Sequence, residues 1–169
     1  GSGGDGRITL TGLNADSPFG SLAAPIASLT GVARFATVNT LNLGDIAAGA
    51  RLEGNSLATL NVSRDALGDL RLTGSGVSGF VLGAAQIGGA IGGLWSITGR
   101  ANSISGESTR ADWRANISSP LTQLVIRGDA SGQFAASALQ LLQVGGSLKA
   151  MSVRIGANLG SDAVIGGKI

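Results

Sequence analysis

Apolar and polar residues alternate along most of the chain, in short runs that end at glycine. Residues 124–128, with the sequence Leu-Val-Ile-Arg-Gly, give the clearest example, and the same shape recurs at residues 8–12, 70–74 and 95–99. Alternation with a period of two places the apolar side chains on one face of a β-strand, and glycine suits the turn that follows. The pattern therefore predicts many short strands, each with one buried face.

These strands recur at a nearly constant spacing. With looser copies at residues 41–44 and 153–156 included, successive copies begin 33, 29, 25, 29 and 29 residues apart. A repeat of that length is typical of solenoid proteins, in which each repeat packs on its neighbours. The first apolar residues of the copies are then predicted to form one interior column, the core ladder: Ile8, Leu41, Leu70, Trp95, Leu124 and Val153.

Each repeat divides into three strands, and the third begins about 18 to 19 residues after the first. An antiparallel sandwich would also give closely spaced short strands, but it predicts no higher repeat. We therefore predict an all-β fold, a right-handed parallel β-helix of about five coils, with about 29 residues and three strands per coil. A helix is expected, if anywhere, at residues 137–143, where Ala138 and three leucines run together.

The chain is predicted to hold a single domain. Residues 1–6 have the glycine-rich character of a cloning remnant or a disordered start, and residues 7–169 form one β-solenoid domain. Within it, residues 13–31 contain Pro18 and Pro25, and proline cannot donate to a strand ladder. This segment is predicted to be a loop or a cap.

Composition supports a folded β-protein and excludes several classes of function. The chain has 29 glycines and 13% charged residues, yet 43% of its residues are hydrophobic, a fraction that disordered chains do not reach. It carries 12 basic and 10 acidic residues, and the basic ones are scattered, which is unlike a nucleic-acid interface. Cysteine and histidine are absent, so disulfides, thiol catalysis and the usual zinc sites are excluded.

The candidate catalytic and metal-binding motifs are weak. Four of the eight aspartates follow glycine directly, which is ordinary turn chemistry, and no two aspartates are adjacent or one residue apart. Residues 3–6 show one copy of a glycine–aspartate calcium pattern, too little for a calcium site. Residues 127–129 spell Arg-Gly-Asp, but a strand followed by its turn explains all three. We expect no enzyme activity, no cofactor and no metal.

Arginines form the one pattern that suggests a ligand. Arg71, Arg100, Arg127 and Arg154 recur at intervals close to the length of the repeat, on or just beyond the first strand of successive copies. If they line one side of the solenoid, they form a candidate site for an acidic ligand through charge-assisted hydrogen bonds. The alternative is that they are solvated outward residues, neutralised by neighbours such as Asp69 and Asp129.

The repeat also resembles a known group of sequences. Residues 67–76, 93–101 and 146–156 are similar to the glycine-rich β-strand repeats of large secreted or surface proteins of environmental bacteria, of planctomycete or autotransporter-passenger type. The resemblance implies a parallel β-helix that serves as an extracellular spacer, adhesin shaft or matrix element, and it brings no catalytic residue.

We therefore expect a non-catalytic structural or adhesive module of a larger bacterial protein, located outside the cell or at its surface. The alternatives are a polysaccharide-binding module that uses the arginine side and a polysaccharide-degrading β-helix enzyme. Expected partners are polysaccharides or other cell-surface components, with no nucleic acid and no membrane span. Because the last residues, 166–169, show no evident cap, either end-to-end self-association or truncation of a longer repeat array is also expected.

Overall fold

The computed structural model describes residues 8–74 and 79–156, and all regular secondary structure in this part of the chain is β-strand. The residues predicted as a cloning remnant or disordered start lie outside it, as do residues 166–169. The strands are β1 (Ile8–Ala15), β2 (Phe19–Ile46), β3 (Arg51–Val62), β4 (Asp69–Leu72), β5 (Leu82–Ile87), β6 (Ala90–Ile91), β7 (Leu94–Ile97), β8 (Ala101–Gly106), β9 (Ser108–Thr109), β10 (Arg114–Ile117), β11 (Leu121–Ile126), β12 (Ala130–Ala136), β13 (Leu139–Val144) and β14 (Leu148–Ile155).

Two ladders of parallel strands make up the long faces of the molecule. The first ladder, named the charged face after its outward side chains, stacks residues 13–15, 33–35 and 51–54 and then β4, β7, β10, β12 and β14. The second, the uncharged face, stacks residues 37–43 and 57–62 and then β5, β8, β11 and β13. The chain alternates between the two ladders, so it winds as a parallel β-solenoid, as predicted.

A third, narrower side closes the cross-section. Residues 8–10 pair with residues 27–29 there, and single bridges join Ile46 to Ala66 and Ala66 to Ile91. The short strands β6 and β9 continue this side. Each turn thus has two long strands and a third side that is mostly too short to form an extended strand, which differs from the predicted three strands per coil.

The turns of the solenoid are much shorter than the predicted coils. Paired residues on neighbouring turns lie 18 to 20 positions apart, as in Leu52 with Leu70 or Ala115 with Phe134, and only the turn that contains residues 75–78 needs 25. The described chain therefore makes about eight turns, and the prediction of five longer coils is wrong. The interval of about 18 to 19 residues, which was predicted to separate the first and third strands of one coil, is instead the length of a whole turn.

The spacing of the sequence repeat has a simple geometric origin. The intervals of 29 residues correspond to one and a half turns and connect equivalent strands on opposite long faces, whereas the interval of 25 residues from Leu70 to Trp95 is the one longer turn and stays on the charged face. Leu41 and Leu124 lie in one interior column of the uncharged face, whereas Leu70, Trp95 and Val153 share a column of the charged face. Ile8 pairs with Ala27 on the third side and is 58% exposed. The core ladder therefore consists of parts of three columns instead of one.

Aromatic side chains fill the interior of the later turns. Trp95 and Trp113 meet edge to face with ring centroids 6.3 Å apart, and Phe134 stacks on Trp113 at 6.2 Å. All three are almost fully buried, so Trp95 lies in the core, as predicted, Trp113 lies there too, and neither offers a platform for sugar stacking.

Two local predictions are wrong because pairing with neighbouring turns overrides the local sequence pattern. Residues 13–31, predicted as a loop or cap, lie mostly in β1 and β2, and Pro25 occupies an early turn of the ladder, where a missing donor is tolerated. Residues 137–143, predicted as a helix, belong largely to β13, because Leu139 and Leu142 pair with Leu121 and Leu124 of the preceding turn.

The stacked turns predict a specific packing constraint at Gly54. A Cβ atom there would overlap the ring of Phe35 in the preceding turn, so Gly54→Ala should cost about 1–3 kcal/mol of unfolding free energy in urea titrations. Gly20→Ala is the matched control, since nothing lies within 4 Å of its Cβ position, and it should change stability by less than about 0.5 kcal/mol.

A double-mutant cycle identifies the cause of the loss at Gly54. In a Phe35→Ala background the overlap is absent, so Gly54→Ala should cost much less than it does in the wild-type chain. An equal cost in both backgrounds would show that the ring of Phe35 is not what excludes a side chain at this position.

Candidate ligand-binding groove

The two long faces differ sharply in charge. One outward column of the charged face runs Asn14, Arg34, Glu53, Arg71, Ser96, Asn116, Ala135, Arg154. The column beside it includes Arg51, Asp69 and Arg114. Together they hold five arginines against two carboxylates. The corresponding columns of the uncharged face hold threonine, serine, asparagine, glutamine, alanine, valine and leucine.

The four arginines singled out in the sequence do not form one row. Arg71 and Arg154 lie in the same outward column of the charged face but four turns apart. Arg100 lies at the corner between β7 and β8, where its guanidinium sits 5.0 Å from the ring centroid of Phe80. Arg127 follows β11 at a different corner. Their interval is longer than one turn and shorter than two, so successive members fall on different sides of the solenoid.

A groove lies where the charged face turns toward the uncharged face. It has a volume of about 410 Å³ and is lined by residues from four successive turns. The lining residues are Asn14, Ala15, Asp16, Arg34, Phe35, Ala36, Glu53, Gly54, Asn55, Arg71 and Thr73. Of the predicted arginines, this groove includes Arg71. The other residues that line the groove were not predicted from the sequence, because only the pairing register between turns reveals that these segments are neighbours.

Ion pairs in the groove leave one cation unpartnered. The Nε of Arg34 donates to Oε2 of Glu53 at 3.0 Å, and Nη1 of Arg51 donates to Oε1 of Glu53 at 3.3 Å. Arg51 also lies 3.8 Å from Asp69. Both oxygens of Glu53 thus accept hydrogen bonds from Arg34 and Arg51, and neither accepts one from Arg71, its neighbour in the next turn. Within the described residues, Arg71 has no ion pair or side-chain hydrogen bond.

The electrostatics of Glu53 follow from these contacts. Partial burial acts to raise the pKa of Glu53, but the hydrogen bonds and charges of Arg34 and Arg51 outweigh it, and the net effect lowers the pKa below its usual 4.5. The carboxylate is therefore ionised at neutral pH and holds the two arginines beside the groove. Because both arginines are half or more exposed, the stability that these pairs add is small.

The Arg-Gly-Asp tripeptide is part of the turn structure. Hydrogen bonds from Lys149 and from the backbone N–H of Ser147 lower the pKa of Asp129, so this carboxylate is held by the following turn. A Cβ atom at Gly128 would come within 2.9 Å of the Glu107 carbonyl oxygen. The glycine and the aspartate are thus explained by contacts between turns.

Within residues 8–74 and 79–156, no three carboxylates or other ligating side chains are grouped closely enough to hold a metal ion. The same part of the chain contains no helix with the length and apolar character of a membrane span. No protein-family model matches the sequence, and no curated protein or solved structure shows significant similarity to it. The groove must therefore be interpreted from its own chemistry.

The Glu53 ion pairs predict a pH dependence of stability. Because the folded-state pKa is lowered, the contribution of Glu53 is present above about pH 4.5 and is lost as the pH falls through the folded value. Glu53→Gln should therefore lose stability at pH 7 but little at a pH low enough to protonate Glu53 in the folded chain, as measured by urea midpoints.

Glu107→Gln is the control for this comparison. It removes the same charge from an exposed side chain that has no ion pair within the described residues, so it should keep the wild-type dependence on pH. An equal loss for Glu53→Gln at both pH values would contradict a role for the ionised carboxylate.

Proposed function

We propose that this chain is a non-catalytic structural or adhesive module of a larger bacterial protein, which acts outside the cell or at its surface. The observation that carries the proposal is the uninterrupted stack of about eight turns, in which a single core continues from one turn to the next. Such a stack makes an elongated element that keeps its two ends apart and presents its outer columns to the surroundings.

Contacts between turns support a stiff element. Besides the backbone ladders, aspartate side chains link two pairs of neighbouring turns. Asp65 and Asp69 accept from the N–H groups of Ala90 and Leu94 at 2.8 and 2.9 Å between one pair of turns, and Asp129 accepts from the N–H of Ser147 at 2.8 Å between another. These bonds satisfy backbone donors at corners, where the strand ladders are interrupted. Bending one turn against another would break them together with the ladders, so the turns resist separation.

The setting outside the cell is supported by the repeat's resemblance to glycine-rich bacterial surface repeats, and the composition is compatible with it. The chain contains no cysteine, and its turns are held together by hydrogen-bonded ladders and buried aliphatic side chains. A fold of this kind keeps its structure whether the surroundings are oxidising or reducing. Secretion of the full-length protein, followed by labelling at the intact cell surface, is the direct test of location.

The last turn of the described chain supports end-to-end association. β13 and β14 each pair with one neighbouring strand, and within residues 8–74 and 79–156 no strand pairs with the other edge of either. Leu141, Leu142 and Leu148 are exposed on these strands at 45%, 37% and 62%. An edge of this type pairs with another strand unless a charge blocks it, so we propose that a second copy of the chain stacks on this end.

Sedimentation velocity over a range of concentrations tests this association. The wild-type chain should form species larger than a monomer as concentration rises, and Leu141→Lys should shift it toward monomer because a charged edge strand resists pairing. Gln123→Lys is the matched control, since Gln123 pairs with Leu141 but lies one turn inside the stack. A monomeric wild type at high concentration would contradict the proposal.

A second candidate function is polysaccharide binding through the charged face. The specific observation in its favour is the excess of arginine on that face, five against two carboxylates, while the uncharged face has no ionic side chain in its outward columns. A surface with excess arginine attracts acidic polymers and bonds to their carboxylates. This candidate requires that the wild-type chain binds an acidic oligosaccharide and that salt weakens the binding.

A further inference from the structure

The groove has the shape of a site for an elongated ligand. Its four contributing turns are spaced by about 4.8 Å, so it extends roughly 14 Å along the solenoid axis. The long side chains of Arg34, Glu53 and Arg71 form one wall. Ala15, Phe35 and Gly54 line the groove between the walls, and their small or inward-pointing side chains leave its floor low.

The opposite wall supplies neutral and acidic hydrogen-bonding groups. Asp16, Asn55 and Thr73 line the groove on the side of the corner, and Ala36 leaves that wall low in the second turn. In the described chain, Asp16, Asn55 and Thr73 make no side-chain hydrogen bonds to other residues. A ligand in the groove can therefore use carboxylate, amide and hydroxyl groups without displacing protein contacts.

The charges of the groove select for a ligand with isolated anionic groups. Arg34 and Arg71 are balanced by Glu53 and Asp16, so the groove as a whole is not strongly positive, and its carboxylates would repel a ligand that carries several negative charges on each sugar. Arg71 still lacks a partner, and Arg34 uses only its Nε toward Glu53, which leaves its Nη groups without an ion pair in the described chain. The matching ligand has no more than one carboxylate on each sugar, beside the hydroxyl groups of that sugar.

We propose that this groove binds a carboxylated oligosaccharide, such as a chain of uronic acid residues, and that Arg71 binds a ligand carboxylate. Arg34 supports the neighbouring sugar through its free Nη groups, and Asp16, Asn55 and Thr73 bind sugar hydroxyls. The proposal rests on the second candidate function, polysaccharide binding by the charged face, and assigns that binding to one site. It does not depend on the structural role of the solenoid.

The experiment compares two arginine variants by isothermal titration with oligogalacturonate. Arg71→Ala removes the unpartnered cation of the groove. Arg114→Ala is the matched control, because Arg114 is exposed on the same face, has no ion pair in the described chain and lies outside the groove. Loss of a charge-assisted hydrogen bond predicts that Arg71→Ala raises Kd about ten-fold or more, while Arg114→Ala changes it less than about two-fold.

Two further measurements complete the test. Methyl-esterified oligogalacturonate keeps the hydroxyls but lacks the carboxylates, so the wild-type chain should bind it as weakly as Arg71→Ala binds the acid. Thermal unfolding of each variant should match the wild type, because an exposed arginine without a partner contributes little to stability.

The outcomes distinguish the site from the wider surface. Equal weakening by Arg71→Ala and Arg114→Ala would overturn the groove and leave diffuse binding by the charged face. Equal affinity for the acid and its methyl ester would overturn the role of the carboxylate. No binding by the wild-type chain at millimolar oligosaccharide would overturn both the groove and the second candidate function.

Discussion

The structure depends on one constraint, the register between neighbouring turns. Each turn must place its backbone opposite the next so that the N–H and C=O groups of both are paired. In this chain the constraint keeps the turn length nearly constant and tolerates one longer turn, the one that contains residues 75–78. Because the register is kept, every residue inside the stack acquires a defined neighbour in the turn before and the turn after.

The same register explains both the core and the outer surface. Inside, the register stacks apolar residues on apolar residues, so that Leu52, Leu70 and Trp95 form one continuous column. It also pairs the large side chain of Phe35 with Gly54 in the next turn. Outside, it places Arg34 and Arg51 against Glu53 and leaves Arg71 in the next turn without an ion-pair partner among the described residues. The ion pairs and the groove are therefore consequences of stacking, as the core is.

Part of this architecture could be predicted from the sequence because it depends on local order. The period of two and the glycine turns are visible in any one strand, such as residues 70–74, and they correctly indicate parallel strands in a solenoid. The length of the turn was misjudged because strands of the two long faces look alike in sequence. Leu41 and Leu70 have the same pattern and begin successive copies of the repeat, yet they lie on opposite faces.

The groove could not be predicted, because it is made of residues that become neighbours only when the correct register is known. Asp16, Asn55 and Thr73 belong to no sequence motif. Arg71 was singled out because of its spacing from three other arginines, and in the structure successive members of that set lie on different sides of the solenoid. The predicted helix at residues 137–143 fails for a related reason. Its local pattern of leucines is overridden by pairing of Leu139 and Leu142 with the preceding turn.

The turn length is the central claim, and a distance between spin labels tests it most directly. The chain has no cysteine, so Asn14→Cys with Arg154→Cys gives a unique pair of labels in one outward column, seven turns apart. Double electron–electron resonance should give one narrow distribution centred at about 34 Å, from a spacing of about 4.8 Å per turn. A distribution centred at about 23 Å, as the longer coils would give, or one without a defined maximum, would contradict the account.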